Sequence, residues 1–282
     1  VTSAQVSRLT VVGLGLLGGS IARAARARRA ASEIVAVGRT PATLAQARAA
    51  GVVDHVTHDL AAGVRHADLV ILCAPVGVLP GMVHAAWPHL AAGAILTDVG
   101  SVKGPVVAAA AACAAGRGVF VGGHPMAGSE RSGFDASRAD LFEERLTLLT
   151  PTAATPPAAA ARLTTFWEGL GSQVRLLTPE AHDRAVAAIS HLPHFAAYGL
   201  VAAAEEEALP FAAAGFQDTT RIAASPEPLW TDIFRENRDP LLVALARYRT
   251  VLDEWEALIR AGDWDAVEGA LARARERREK LG

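Results

Sequence analysis

The glycine spacing in "LTVVGLGLLGGSIARAARARRA" is the tightest constraint this chain carries. Gly13, Gly15 and Gly18 leave a β-branched run and lead into an Ala/Arg-rich one. Between a buried strand and a helix, such a turn needs Gly13 for the bend. Gly15 lets backbone approach a pyrophosphate, and Gly18 lets helix and strand pack closely. The helix N-terminus then faces the anion. The spacing predicts a dinucleotide site in the first βα unit. The competing reading is a glycine-rich turn without a ligand.

The first half repeats the same alternation. "EIVAVG", "DLVILCAP", "AILTDVG", "GVFVGGHP" and "RLTLLTP" are Val/Ile/Leu runs set between helical segments. One such segment is "PATLAQARAAG", where Pro41 suits a first turn and Gly51 a stop. Continuous apolar strands separated by helices predict a parallel sheet covered on both faces. "PTAATPPAAAARL" reads either as a linker or as a helix begun at Thr155 and Pro156; the helix is preferred. "SQVRLLT" is then the last strand of the sheet. From Pro179 onward the chain is rich in Ala, Leu, Glu and Arg, with no strand pattern. The expected architecture is an α/β Rossmann-like dinucleotide-binding domain over 1–175. An all-α domain over 176–282 follows it.

With 282 residues the chain is long enough for two such domains. A net charge of −2 points away from nucleic acid and from anionic membrane surfaces. Gly, Pro, Arg and Asp break every apolar run, so no bilayer-spanning stretch is expected. Cys73 and Cys113 match no metal or redox spacing, which fits a reduced, cytoplasmic setting. The opening "VTSAQVSRLTVVGLG" enters a strand-like run at once, leaving no room for a signal peptide.

The second strand ends "VAVGRT". Arg39 and Thr40 stand where an acid would hydrogen-bond the ribose 2′-hydroxyl of NAD. A cation and a hydroxyl suit a 2′-phosphate, so the sequence leans toward NADP or toward use of both cofactors. Alternatively, Arg39 stacks on adenine.

Six segments together resemble the prephenate and arogenate (cyclohexadienyl) dehydrogenases of tyrosine biosynthesis. They are "GLGLLGGSIA", "LCAPV", "TDVGSVKG", "GGHPMAGSERSGF", "ISHLPH" and "GFQDTTRIAASPEPLWTDIFRENR". The last four, in this order and spacing, carry the specificity. The resemblance implies oxidative decarboxylation of prephenate, arogenate or both, with NAD(P) as hydride acceptor. A 4-amino-4-deoxyprephenate-type analogue would use the same residues. It also implies a homodimer formed through the helical domain. For the cofactor it implies Gly13, Gly15, Leu16, Leu17, Gly18, Arg39, Thr40, Ala74, Pro75, Val76 and Ser101.

The same resemblance makes His124 the residue that accepts a hydrogen bond from the substrate's C4 hydroxyl, a task suited to a neutral imidazole. Ser101 orients His124; its alternative is an N-cap for the helix beginning near Lys103, and Lys103 itself is not assigned. Arg221 grips the ring carboxylate, against a solvated helix arginine. His194 touches the substrate, and His191 lines or supports the same cleft. Glu130 and Asp218 stand at the mouth or form a structural ion pair, and Trp230 is apolar wall or plain core. His191 and His194 lack a third ligand, so no metal is expected. The remaining alternative is a cofactor-binding sensor without turnover; it would have no need of His124, Ser101 and Arg221 together.

Overall fold

The computed structural model describes residues 6–113, 118–128 and 131–281. Strands β1 (Val6–Val12), β2 (Ala31–Val37), β3 (His55–Thr57), β4 (Leu69–Leu72), β5 (Ile95–Asp98) and β6 (Val119–Phe120) form one sheet in the order β3-β2-β1-β4-β5-β6. Each neighbouring pair runs parallel. The chain moves outward from β1 through β2 to β3, then returns to place β4 on the other side of β1. That reversal opens a crevice at the carboxyl ends of β1 and β4.

Helices α1 (Leu16–Ala27), α2 (Pro41–Ala49), α3 (Leu60–Val64), α4 (Leu79–Ala86) and α5 (Gly104–Ala111) connect these strands. Alternation along β4 shows how the faces are filled. Leu69 and Ile71 point into a core with Leu9, Val11, Ile21 and Ile34. Val70 and Leu72 point into another with Leu79, Val83, Leu96 and Val106. Side chains of period two thus supply both layers.

The expected run of one sheet is corrected at Val121. "GVFVGGHP" is not one strand. Val119–Phe120 stays in the parallel sheet, and β7 (Gly122–Pro125) starts a second sheet with β8 (Leu146–Thr150) and β9 (Gln173–Leu176). β7 and β8 are antiparallel, β8 and β9 parallel. "SQVRLLT" therefore closes this smaller sheet. The cause is the glycine pair. A Cβ on Gly123 would lie 2.7 Å from the Asp98 carbonyl oxygen, and one on Gly122 would overlap the Thr150 hydroxyl. Only bare backbone passes between the sheets there. Helix α6 (Pro157–Gly169) joins β8 to β9 and buries Leu163, Phe166 and Trp167 under the first core.

Beyond β9 the described residues are helical: α7 (Pro179–Val186), α8 (Leu192–Ala203), α9 (Ala214–Thr220), α10 (Glu227–Glu236), α11 (Arg238–Ala261) and α12 (Trp264–Glu279). A π turn, Ala187–His191, fuses α7 and α8 into one 25-residue rod. Pro193 has no N–H to return to Ile189, which loosens the helix at that point. By length and composition this rod could cross a bilayer, contrary to the sequence expectation. Its charged residues, Glu180, Asp183 and Arg184, sit at its start, and the apolar turns of α8 dilute them. His182, Asp183 and His191 are buried here against protein.

Helix α11 buries little: of its 24 residues, Leu241 and Ala244 are buried, while Leu242, Val243, Val251, Leu252 and Ile259 are exposed.

Gly18 tests the first turn. A Cβ there would overlap the Gly13 carbonyl oxygen, so α1 would have to move off β1. Gly18→Ala is expected to cost about 1–3 kcal/mol as overpacking, seen as a Tm several degrees lower in thermal unfolding.

Candidate active site

The crevice begins with a strained turn. Gly13 has φ +98°, and its N–H donates to the Val37 carbonyl at 2.8 Å. A side chain there would meet the Cys73 carbonyl, so this position needs glycine on two counts. A Cβ on Gly15 would meet nothing within 4 Å. No side chain caps α1, whose N-cap is Gly15, so the first amides of the helix, including those of Leu16 and Leu17, are free for an anion. A cavity of about 220 Å³ opens beside them, lined by Gly13, Gly15, Gly38, Arg39, Thr40 and Cys73. Arg39 is exposed and forms no ion pair among the described residues; Thr40 is the N-cap of α2 without using its hydroxyl as a cap. These residues fit a dinucleotide. Ala74, Pro75 and Val76 follow β4 on the same edge. Next to them, the Gly77 N–H donates to Asp232 of α10 at 2.8 Å.

A larger cavity of about 760 Å³ lies between the domains; Ser101, His124, Met126, His194, Arg221 and Trp230 are among its walls. His124 stands in β7, with 8% of its surface exposed. Its Nδ1 lies 2.9 Å from His182 Nε2, and His182 Nδ1 lies 2.7 Å from Asp183 Oδ1. The same carboxylate accepts the backbone N–H groups of Lys103 (2.8 Å) and Gly104 (2.7 Å). Burial above all, then the neighbouring His182, Lys103 and His191, hold His124 well below the usual histidine range. It is therefore a neutral imidazole near pH 7. Burial pushes Asp183 toward the protonated form, but the bonds from His182, Lys103 and Gly104 outweigh it and keep the group below its ordinary range.

His194 stacks on Trp230, with ring centroids 3.4 Å apart. Its Nδ1 donates to the Ser190 carbonyl at 2.9 Å, which satisfies a carbonyl in the loosened π turn. Burial and then the Arg221 charge lower its pKa, against that hydrogen bond. Arg221 itself follows α9 and is exposed at the cavity wall. His191 is buried behind the wall, accepting from Asn237 Nδ2 at 3.0 Å, while its Nε2 has no partner. Burial pushes it down to about 4.

The structure thus brings Ser101, His124, His194, Arg221 and Trp230 to one cavity and sets His191 directly behind it. Asp218 is exposed on α9, away from the cavity lining and in no ion pair among the described residues. Glu130 lies outside the described residues. Two expectations for Ser101 are corrected. No hydrogen bond joins it to His124, whose Nδ1 is taken by His182. Nor does it cap α5: the N-cap is Lys103, and Asp183 takes the first amides. Lys103 is fully buried, ion-paired with Asp98, and donates to the Gly123 carbonyl at 2.7 Å. Sequence reasoning missed His182, Asp183 and Asn237. The signal available was the adjacent His–Asp pair in "EAHDRAV". Among the described residues no group of three His, Cys, Asp or Glu side chains could hold a metal.

An anion cradle on one flank of the crevice and a buried, neutral imidazole on the other fit one class: a dehydrogenase that works with a dinucleotide. Residues 21–176 match the family model of the prephenate dehydrogenase nucleotide-binding domain, and residues 178–273 that of the prephenate dehydrogenase dimerization domain. The cyclohexadienyl dehydrogenase of Zymomonas mobilis is 36% identical over 264 residues, 91% of this chain and 90% of that protein. The solved arogenate dehydrogenase of Synechocystis is 34% identical with a TM-score of 0.87, covering 98% of this chain and 100% of that one. The prephenate dehydrogenase of Aquifex aeolicus, solved with hydroxyphenyl propionate and NAD+, is 30% identical with a TM-score of 0.90, covering 98% of each chain. The chain belongs to the prephenate dehydrogenase family.

Burial of His191 links pH to stability. Its pKa is 6.5 unfolded and about 4 folded, so the unfolded chain binds more protons between those values. Stability is therefore full above pH 6.5 and lost as pH falls toward 4, by about 3 kcal/mol from this group. His191→Gln should flatten that part of the slope when urea unfolding is compared near pH 7 and near pH 4.

Proposed function

We propose that the larger cavity holds a cyclohexadienyl dicarboxylate with its C4 hydroxyl at His124 and its ring carboxylate toward Arg221. The protein is an oxidoreductase of its family, catalysing NAD(P)-dependent oxidative decarboxylation of prephenate or arogenate. The observation that carries the residue roles is the buried, neutral His124 in the wall of a cavity that also presents Arg221.

Bound nicotinamide would accept hydride from C4. His124 takes the hydroxyl proton through Nε2, the ring nitrogen not bonded to His182. The C1 carboxylate leaves as CO2, and its bonding electrons aromatise the ring. The resulting phenolate recovers the proton from His124. Arg221, exposed at the wall, presents a guanidinium fork for a carboxylate. His194 and Trp230, stacked on each other, form a flat wall for the ring. Ser101 lines the cavity from the end of β5, the side nearest the crevice. Glu130 is proposed at the mouth of the site, as the family resemblance implies; Asp218, which α9 presents to solvent outside the cavity lining, is given no role.

The proposed domain boundary, 175/176, falls at the last residue of β9, just before α7. A second copy of the chain covers the exposed apolar residues of α11, in keeping with the dimerization-domain match. The free thiols Cys73 and Cys113 fit a cytoplasmic setting.

His124→Asn should bind cofactor normally and lose roughly 10²–10⁴-fold in kcat, measured as NAD(P) reduction with prephenate and with arogenate. A kcat within a factor of a few of the parent would remove His124 from the reaction.

Within NAD(P), NADP is the proposed preference. Arg39 and Thr40 line the smaller cavity, with no acid among its described lining residues to repel a 2′-phosphate. Arg39→Asp should shift the kcat/KM ratio of NADP to NAD by on the order of a hundredfold toward NAD. A ratio left unchanged would mean that Arg39 does not meet the 2′ position.

A further inference from the structure

The hydrogen bonds behind His124 form a directed chain. Asp183 is an acceptor only, and it already takes two backbone N–H groups. The 2.7 Å contact with His182 therefore has the proton on His182 Nδ1. With its proton spent on Asp183, His182 offers Nε2 as the acceptor. The 2.9 Å contact to His124 must draw its proton from His124 Nδ1. That leaves His124 Nε2 bare, the form a base requires. Without a fixed acceptor at Nδ1, the ring proton could sit on either nitrogen.

We propose that His182 and Asp183 are positioning residues that fix His124 in its Nδ1–H tautomer and share the charge of the proton it collects. When His124 Nε2 takes the substrate's hydroxyl proton, the Nδ1 proton moves along the existing bond to His182 Nε2. The positive charge then rests on His182, against the Asp183 carboxylate, and returns along the same path when the phenolate is reprotonated. No atom leaves the chain and no other reactant is needed.

The anchoring makes this a built device. His182 is fully buried, and Asp183 is 7% exposed. Beyond the two amides at its carboxylate, the Asp183 carbonyl accepts from Asn237 Nδ2 at 2.9 Å. The Thr178 hydroxyl caps α7 one turn earlier, accepting the Ala181 N–H at 3.2 Å. His182 and Asp183 lie on α7 of the helical domain, and His124 lies on β7 of the other. The base is set only when the domains are docked.

The proposal rests on the role given to His124 above, but its first test does not need activity. Protein labelled with [15N]histidine is read by long-range 1H–15N correlation near pH 8. His124 should show a bare Nε2 and a protonated Nδ1 in the parent, and lose that pattern in His182→Leu. In kinetics, His182→Leu should lose about 10²-fold in kcat, within the range seen when a base loses its orienting partner. KM and cofactor Kd should stay within about threefold. In His182→Gln the side-chain carbonyl can still accept from Nδ1–H, so kcat should return to within about tenfold of the parent. An Nε2–H pattern for His124 in the parent, as a doubly protonated His182 would give, overturns the proposal. So does a His182→Leu kcat within threefold of the parent. If His124→Asn kept full activity while the parent tautomer was as stated, the base assignment would fail and the wiring would stand.

Discussion

Asp183 sits where the two halves of the chain meet, and its carboxylate closes the start of a helix that belongs to the other half. The first amides of α5 would otherwise be buried without partners. Supplying them from α7 ties the helical domain to the sheet, as the Gly77 bond to Asp232 does from α10. Breaking such a buried, hydrogen-bonded charge costs about 3–5 kcal/mol in general, a large share of a typical domain's stability. The residues that face the larger cavity from the helical side, His194, Arg221 and Trp230 included, are carried by the domain held there.

On the sheet side the matching fixture is the buried pair Lys103 and Asp98. An isolated ammonium or carboxylate in that position would be costly, and the pair is tolerable because its remaining hydrogen bonds are met. Asp98 accepts from the Gly100 and Gly123 amides, and Lys103 donates to the Gly123 carbonyl. The result pins the first residues of β7 to the end of β5. His124 follows Gly123 directly, so its backbone inherits that precision. A charged cluster that adds little net stability thereby fixes the position of a buried cavity-wall imidazole.

The first half of the fold was legible because local signals and tertiary structure agree there. The glycine turn, the β-branched runs and the Pro41 helix start each report a backbone state that the neighbours also favour. The second sheet was not legible. Val119–Phe120 and Gly122–Pro125 read as one strand in sequence, and only the close approach of Asp98 and Thr150 divides them. His124, Ser101, His194 and Arg221 were legible because they sit in distinctive segments. His182 and Asp183 were not, since their partners are 58 and 80 residues away and an adjacent His–Asp pair looks like ordinary helix surface. Asp218 shows the reverse: a distinctive segment brought it to notice, and α9 presents it to solvent.

The π turn between α7 and α8 has a consequence for how this chain can change over time. Such a turn adds one residue to a helical circuit, so everything beyond it is rotated by about 100°. His182 and Asp183 lie before the turn and His194 after it. The two sets serve one cavity only because the rod shifts phase between them. Removing a single residue from Ala187–His191 would give a more regular helix and swing the His194 ring off Trp230. The length of the segment, more than its composition, sets the phase between the two halves of the rod.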